Sequence, residues 1–586
     1  VPVLIEEVVI RNYRSIHNLE LHLGSYTPLV GYNNSGKTNA ISAIQWLLRR
    51  SSLSNADFHD AGVAVEVEAE ISGISDVVVA CLPERQRAQI APFVVAGSLK
   101  IKRTQELPGV RVNEISLSVW DPRIGDWTAN PVGIDNALGV ILPEPIRIGA
   151  MEDAAEDSSK AKSTTTIGKL LGEFVAPVRA AHQAELQGLL DALTQRLSAD
   201  GAARFAELGA IEDAISAKIN DLFPGIGARL HFPTPAIDDL IKSGTLKLYE
   251  GTSGPRDFAS YGHGTQRSVQ MALIRHLAEI RRGAIEQHAT TTLLLIDEPE
   301  LYLHPFAIEQ VRAALKILSE SGYQVIFSTH AAQLVPARDA QHALLVRKDV
   351  DGRTNCRRRL QDAIQTVVPD SLHQMEQLFT LTHSSQILFA DRVILTEGKT
   401  ELRLLPSLFS AIRRQSLGQE RLALIAQSGV NDTAKSLQIL AAMDLPAKAI
   451  VDLDYVLTGA ITHGLIAEQD PDIVHLLGVL ARMGAAGRVT LSASGRPQRG
   501  VVTAREAFVL LTGEADAAAA IMSLHGKLLA HQVWMWRTGA IEQPLGLGGK
   551  SERDWARFQT DLETHGLRAI CPSPQEIEDM IAWIAA

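Results

Sequence analysis

The chain has 586 residues, with 56 Lys and Arg against 67 Asp and Glu, a formal charge of −11. At 46% hydrophobic and 21% charged residues, its composition is that of a soluble globular protein of several domains, which excludes global disorder and collagen-like repeats. Three cysteines, Cys81, Cys356 and Cys571, lie far apart without CxxC spacing; this excludes a disulfide framework and a zinc site and fits a reducing, cytoplasmic location. No run of about 18 apolar residues appears, and the N-terminal stretch has no signal-peptide pattern, so neither export nor membrane spanning is expected. The acidic balance argues against charge-driven nucleic-acid binding over the whole surface, but it leaves room for a local basic groove.

Residues 3–10 and 63–71 read as strands, the second by strict alternation of apolar and polar side chains. From Met151 to Thr166 the chain is polar, and Leu186, Leu189, Leu190, Leu193 and Leu197 then recur at helical spacing, which predicts a helical insertion over 155–225. Strand and helix alternate again from Leu246, through the apolar strand Thr292–Ile296, a helix carrying Ile308, Val311, Leu315 and Leu318, and a strand at Gln324–Ser328. This is α/β architecture with a largely parallel sheet. A basic stretch from Arg347 to Arg359 marks a boundary, with a linker expected over 346–390. A second α/β unit follows over 391–586, with strands at 392–396, 422–427 and 448–451 and helices from 400 and over 433–443.

The segment Gly31-Tyr-Asn33-Asn34-Ser35-Gly36-Lys37-Thr38 fits GxxxxGK[ST] between an apolar strand and a helix. Its glycines let backbone N–H groups wrap phosphates at a helix N-terminus, Lys37 reaches the β/γ-phosphates of ATP, and Thr38 holds Mg²⁺. Downstream, Leu293–Ile296 runs into Asp297-Glu298-Pro299. Asp297 suits the Mg²⁺ position and Glu298 a general base for the attacking water. Between these motifs, Ser260-Tyr-Gly262-His-Gly264-Thr-Gln266 opens a helix, and a later strand ends in Ser328-Thr329-His330.

This order resembles an ABC-type ATPase of the recombination-repair branch, as does the opening Ile10-Arg-Asn-Tyr-Arg14-Ser. The resemblance assigns Arg14 and Asn39, beside the P-loop residues, to the nucleotide site. It assigns Ser260, Gly262, Gly264 and Gln266 to the ATP of a second subunit, and His330 to sensing the γ-phosphate. Two heads then sandwich two nucleotides. The signature departs from LSGGQ, and no Gln-bearing loop is recognisable after the first helix.

A second constellation holds carboxylates. Glu397, at the end of one strand, is followed four residues later by Glu401 in a helix, and Asp452 and Asp454 end another strand. Period-2 geometry places the last two on one side. Oxygen ligands at this density suit Mg²⁺ or Mn²⁺, not zinc, and ligands gather at the carboxyl ends of strands in doubly wound sheets. Glu-Gly-x-x-Glu followed by Asp-x-Asp resembles the Toprim domain. An ABC ATPase joined to a C-terminal Toprim domain resembles the OLD (overcoming lysogenization defect) nuclease family over almost the whole chain.

That resemblance divides the chain into ATPase parts at 1–154 and 226–345, split by a dimerisation insertion at 155–225, and a Toprim nuclease domain at 391–586. It implies two-metal phosphodiester hydrolysis on DNA. It adds Glu542 of the Ile541-Glu542 motif and Ser428 as metal-site residues, and Lys550 as a group in the chemistry. Homodimerisation or higher self-assembly, antiphage defence and a helicase or other defence-system partner belong to the same implication. No tyrosine sits in a dedicated DNA-gate context, so hydrolysis by water is expected over a covalent tyrosine intermediate. The alternatives are an ATP-driven DNA-binding repair ATPase and a nucleotide-switched scaffold, each with a non-cleaving Toprim module. Arg347, Lys348, Arg353, Arg357–Arg359 and Arg413–Arg414 stand as phosphate contacts or as a solvated linker face.

Overall fold

The computed structural model describes residues 2–80, 82–142, 145–149, 166–198, 200–232, 237, 246–252, 254–282, 291–367, 384–427 and 433–586. The chain divides into two compact units, one of Val1–Arg14, His22–Tyr26 and Thr38–Ser328, the other of Ser15–Leu21, Thr27–Lys37 and Thr329–Ala586. The boundary passes between Lys37 and Thr38 of the P-loop. Ser428, and most of the polar stretch after Met151, lie outside the described residues.

In the first unit, strand Leu4–Tyr13 pairs antiparallel with Val65–Ser72, whose Val65, Val67, Ala69 and Ile71 alternate into the core. Strands Leu99–Gln105, Ser116–Asp121 and Asp126–Ala129 extend that sheet antiparallel. A parallel trio follows: Ile146–Ile148 pairs with Thr292–Asp297, which pairs with Tyr323–Thr329 so that Asp297 stands opposite Ser328. The latter two strands are buried almost throughout, as parallel strands covered on both faces must be. Buried Gln324 holds the backbone on both sides, accepting from Ile5 N–H and donating to the carbonyls of Ile5 and Gly24. Helix Pro305–Ser319 buries the predicted stripe of Ile308, Val311, Leu315 and Leu318.

The predicted helical region contains helices Thr166–Leu197 and Ala206–Leu222. At 1.5 Å per residue the first is about 48 Å long. Its leucines do not all find a core: Leu189 is 64% and Leu193 43% exposed, and Ile211, Leu222 and Phe223 are exposed as well.

In the second unit, Leu29 and Val30, at the end of strand Tyr26–Val30, pair parallel with strand Leu344–Lys348, and Thr354–Cys356 returns antiparallel. The stretch expected as a linker therefore carries strands and the helix Leu360–Val367. Arg347 is a correction to the phosphate-contact reading. It is 5% exposed, donates to the carbonyls of Val30, Val346 and Leu388, and faces Asp391 at 3.5 Å. Arg359 pairs with Asp362 and Arg413 with Glu420. Charge runs of this kind reveal sign, whereas the number of nearby carbonyls and carboxylates is set by folding.

A four-stranded sheet of the second unit is all parallel, in the order Leu422–Ala426, Arg392–Thr396, Ala447–Val451, Val533–Met535. Chain order reverses between Arg392–Thr396 and Ala447–Val451, so the crevice at their carboxyl ends is the topological switch point, where open α/β sheets take ligands. Helix Lys399–Arg413 packs Leu404, Leu405, Leu408 and Phe409 against Ile394, Ile450, Trp534 and Trp536. That core anchors the helix whose first turn carries Glu401.

Candidate active sites

The P-loop follows a fully buried strand, Tyr26–Val30, and opens helix Lys37–Leu48. Gly36 has φ +103°, and a Cβ there would lie 2.1 Å from Thr354 Oγ1; a Cβ on Gly31 would lie 2.3 Å from the Val346 carbonyl. Both positions therefore require glycine. Lys37 is buried, donates 2.9 Å to the Gly31 carbonyl and 3.0 Å to the Tyr32 carbonyl, and meets His330 Nε2 at 3.0 Å. Asn33 and Asn34 are exposed, whereas Ser35 is buried with its hydroxyl unpartnered. One residue past Lys37, Thr38 Oγ1 donates 3.3 Å to Asp297 Oδ1.

Asp297 also accepts from Ser328 Oγ at 3.0 Å and is ion-paired with Arg147. Glu298 takes a left-handed φ of +46°, and its N–H donates to Ser328 O at 3.1 Å. Arg14 pairs with Asp57 at 2.9 Å and reaches Asn39 Oδ1 at 3.5 Å. Ser260 Oγ donates to Asp257 O, and Gly262, at the mouth of helix His263–Arg282, is exposed. Gly264 is half-buried, and buried Gln266 donates to the Tyr261 carbonyl at 2.8 Å.

Two residues around Asp297 carry no sequence signal. Arg147 lies on the short strand beside Asp297, and Arg267 follows Gln266. Buried Arg267 donates to the backbone carbonyls of Gly149, Asp297 and Glu298, tying the signature helix to the acidic turn. Burial pushes its guanidinium down to about 10, partly offset by the carboxylates of Glu300, Asp297 and Glu298.

At the switch point of the all-parallel sheet, Glu397 Oε2 accepts from Asp452 N–H at 3.2 Å. Glu401, in the first helical turn, is 4% exposed. The strand ends at Val451, and Asp454 lies in a 3₁₀ turn, Leu453–Leu457. The two aspartates therefore converge through a turn, not through strand period. Asp452 Oδ1 and Asp454 Oδ1 are each buried without a partner. Glu542 is 2% exposed; its Oε1 accepts from Thr400 Oγ1 at 3.1 Å and from Lys550 Nζ at 3.2 Å, and its Oε2 pairs with Arg505. Thr400 and Arg505 carried no sequence signal, because Arg505 is 37 residues from Glu542.

Electrostatics binds the five acids into one group. Burial, then Asp454 and Glu401, push the Glu397 carboxyl up to about 7, against the Asp452 N–H and Lys550. Burial, then Glu397, Glu401 and Glu542, raise Asp452; burial raises Glu401 and Asp454 as well, and Lys550 opposes each shift. Among the described residues, no three His, Cys, Asp or Glu side chains stand close enough to hold an ion as placed. Buried carboxylate oxygens without donors fit a divalent cation and are costly without one.

Over 99% of its length, the chain is 38% identical to all of the Old nuclease of Escherichia phage P2. The chain belongs to the OLD nuclease family. An OLD nuclease of Thermus scotoductus (strain ATCC 700910 / SA-01) is 22% identical over 77% of this chain and 82% of its own length. The Toprim model of the overcoming-lysogenization-defect-like proteins matches residues 388–454, which contain Glu397, Glu401, Asp452 and Asp454. An AAA ATPase domain model matches 4–88, and an AAA domain described with the AbiEii toxin of type IV TA systems matches 159–335. Among solved structures, an SMC head bound to the winged-helix domain of ScpA aligns with a TM-score of 0.37 and 17% identity, over 62% of this chain and 99% of that one. This OLD-family protein is an ATPase and a nuclease of mixed α/β architecture, and its Toprim domain brings divalent-metal dependence. Among the described residues, no helix is long and apolar enough to cross a membrane.

Proposed function

We propose that the protein is an ATP-regulated DNA endonuclease that hydrolyses phosphodiesters with two divalent cations, in antiphage defence or DNA processing. What supports this reading is that Glu397, Glu401, Asp452, Asp454 and Glu542 lie within electrostatic reach of one another at one switch-point crevice, with one carboxylate oxygen each of Asp452 and Asp454 buried and unpartnered. These residues would hold two Mg²⁺ or Mn²⁺ ions, whose chemistry there would be to activate a water and stabilise charge at the scissile phosphate. The five acids divide the ligation, and Thr400 orients Glu542. Lys550, half exposed beside buried Glu542, offers positive charge to the phosphoryl oxygens as they gain charge. Ser428 is proposed as a neighbouring ligand, although it lies outside the described residues.

At the P-loop, Asn33, Asn34, Ser35 and Gly36 are assigned to the phosphate cradle, and Arg14 and Asn39 to binding of the same nucleotide. Lys37 exchanges its loop carbonyls for phosphate oxygens. Thr38 and Asp297 already share a hydrogen bond and hold the Mg²⁺ of ATP, with Glu298 as general base. His330 reports the γ-phosphate through its contact with Lys37. Ser260, Gly262, Gly264 and Gln266 serve the ATP of a second subunit. The exposed apolar residues of the helices over 166–222 supply the homodimer contact. The setting is cytoplasmic, with the ATPase head over 1–345 interrupted by the helices of 155–225, and the nuclease over 391–586.

The test is a matrix of plasmid cleavage across Mg²⁺, Mn²⁺ and Ca²⁺, with and without ATP, on wild type and Lys37→Ala. Metal-dependent cleavage supports the nuclease reading. Absence of cleavage with every cation would favour the scaffold or repair-ATPase alternative.

A further inference from the structure

The P-loop is braced by residues far downstream in the chain. The Val346 carbonyl abuts Gly31, and Thr354 abuts Gly36 while its Oγ1 donates 3.1 Å to the Ser35 carbonyl. Tyr32 is held most closely. Its hydroxyl accepts from Lys348 N–H at 2.9 Å, the Arg421 guanidinium lies 4.4 Å from its ring centroid, and that of Arg347 lies 5.6 Å away. Asp391 joins both arginines, at 3.2 Å to Arg421 and 3.5 Å to Arg347. The Tyr32 carbonyl is itself an acceptor for Lys37 Nζ, at 3.0 Å.

The two outer members of this cluster belong to the nuclease sheet. Arg421 immediately precedes strand Leu422–Ala426, and Asp391 immediately precedes strand Arg392–Thr396, whose far end runs into Glu397. The backbone closes the pair: Asp391 N–H donates 3.0 Å to the Arg421 carbonyl. At about 3.3 Å per residue, five residues, or about 17 Å of rigid strand, separate the Tyr32 clamp from the metal-site acids.

We propose that Arg421 is a positioning residue for the nucleotide site, lent by the Toprim segment to fix Tyr32 and, through the Tyr32 carbonyl, the resting place of Lys37. A guanidinium stacked on the ring and tied to Asp391 limits how far the P-loop backbone can move when Lys37 leaves for phosphate. Release of the clamp costs affinity for ATP, because the loop must then be ordered by the nucleotide. The inference rests on the P-loop reading above.

The experiment uses the full chain and compares wild type with Arg421→Ala, Arg421→Lys, Tyr32→Ala, the Tyr32→Ala/Arg421→Ala double variant and Lys37→Ala. It reads KM and kcat for ATP beside a thermal melt. Arg421→Ala is expected to raise KM about fivefold, equivalent to about 1 kcal/mol of lost cation–π restraint, with kcat nearly unchanged. Arg421→Lys restores most of it, since an ammonium also stacks on the ring. The double variant behaves as Tyr32→Ala alone, because both changes remove one interaction. An unchanged KM in Arg421→Ala, a loss confined to kcat, or additive effects in the double variant overturns the proposal. If Lys37→Ala binds ATP as wild type does, the P-loop reading itself fails, whatever Arg421→Ala shows.

Discussion

Removing one negative charge from the acid cluster should stabilise the metal-free protein, and only above a defined pH. Burial and the carboxylates of Asp454 and Glu401 lift Glu397 from 4.5 to about 7. A carboxyl that holds its proton more tightly in the folded state binds more protons folded than unfolded between those values. Folded stability is therefore greatest below about 4.5 and falls as pH rises to about 7. At about 1.36 kcal/mol per pH unit, a shift from 4.5 to about 7 makes the loss somewhat over about 3 kcal/mol by pH 8. Asp452 and Glu397 repel one another, so part of that loss belongs to the pair. Glu397→Gln keeps an oxygen for the Asp452 N–H and removes the charge. In a chelator, melts followed by tryptophan fluorescence should show the variant above wild type at pH 8 by about 2–4 °C for each kcal/mol recovered, and level with it at pH 4.5. Trp534, Trp536 and Trp555 report on this core. Adding Mn²⁺ should stabilise wild type more than the variant. Parallel pH profiles for the two proteins in chelator would refute the electrostatic reasoning.

Tyr455 is buried, its hydroxyl has no partner, and burial pushes it up to about 12, which leaves no phenolate to attack phosphate at neutral pH. Tyr455→Phe should therefore keep full plasmid cleavage and lose no stability; abolished cleavage would revive a covalent tyrosine mechanism. Lys550→Ala should lower the cleavage kcat by about 10²-fold or more while Mn²⁺ binding, read by calorimetry, is kept or tightened, because one competing cation has left Glu542. Loss of Mn²⁺ binding would make Lys550 a structural group. Leu189→Asp with Leu193→Asp should convert dimers to monomers in sedimentation, since both side chains are exposed in the single chain. An unchanged dimer would place the contact elsewhere.

Local chemistry was legible in the sequence wherever a motif is contiguous. GxxxxGK[ST], the apolar strand ending in Asp297-Glu298, and Glu-Gly-x-x-Glu with Asp-x-Asp each carry their spacing in adjacent residues, and strand 392–396 was read to the residue. Long-range partners were not legible. Arg147 on Asp297, Arg267 on the Asp297 carbonyl, and Arg505 on Glu542 meet their partners across 150, 30 and 37 residues, where periodicity says nothing. Arg347 was misread for the same reason: charge sign is local, but whether an arginine faces water, as Arg353 and Arg358 do, or buried carbonyls, as Arg347 does, depends on which strands flank it. Asp454 converges with Asp452 through a 3₁₀ turn that alternation could not reveal.

The central claim is that Asp452 and Asp454 hold the cations that cut DNA. It is tested most directly by Asp452→Ala/Asp454→Ala, with Mn²⁺ binding, plasmid cleavage and ATP hydrolysis measured on the same preparation. Mn²⁺ binding at the Toprim site and cleavage should both be lost while ATP hydrolysis persists. Cleavage that continues in the double variant would contradict it.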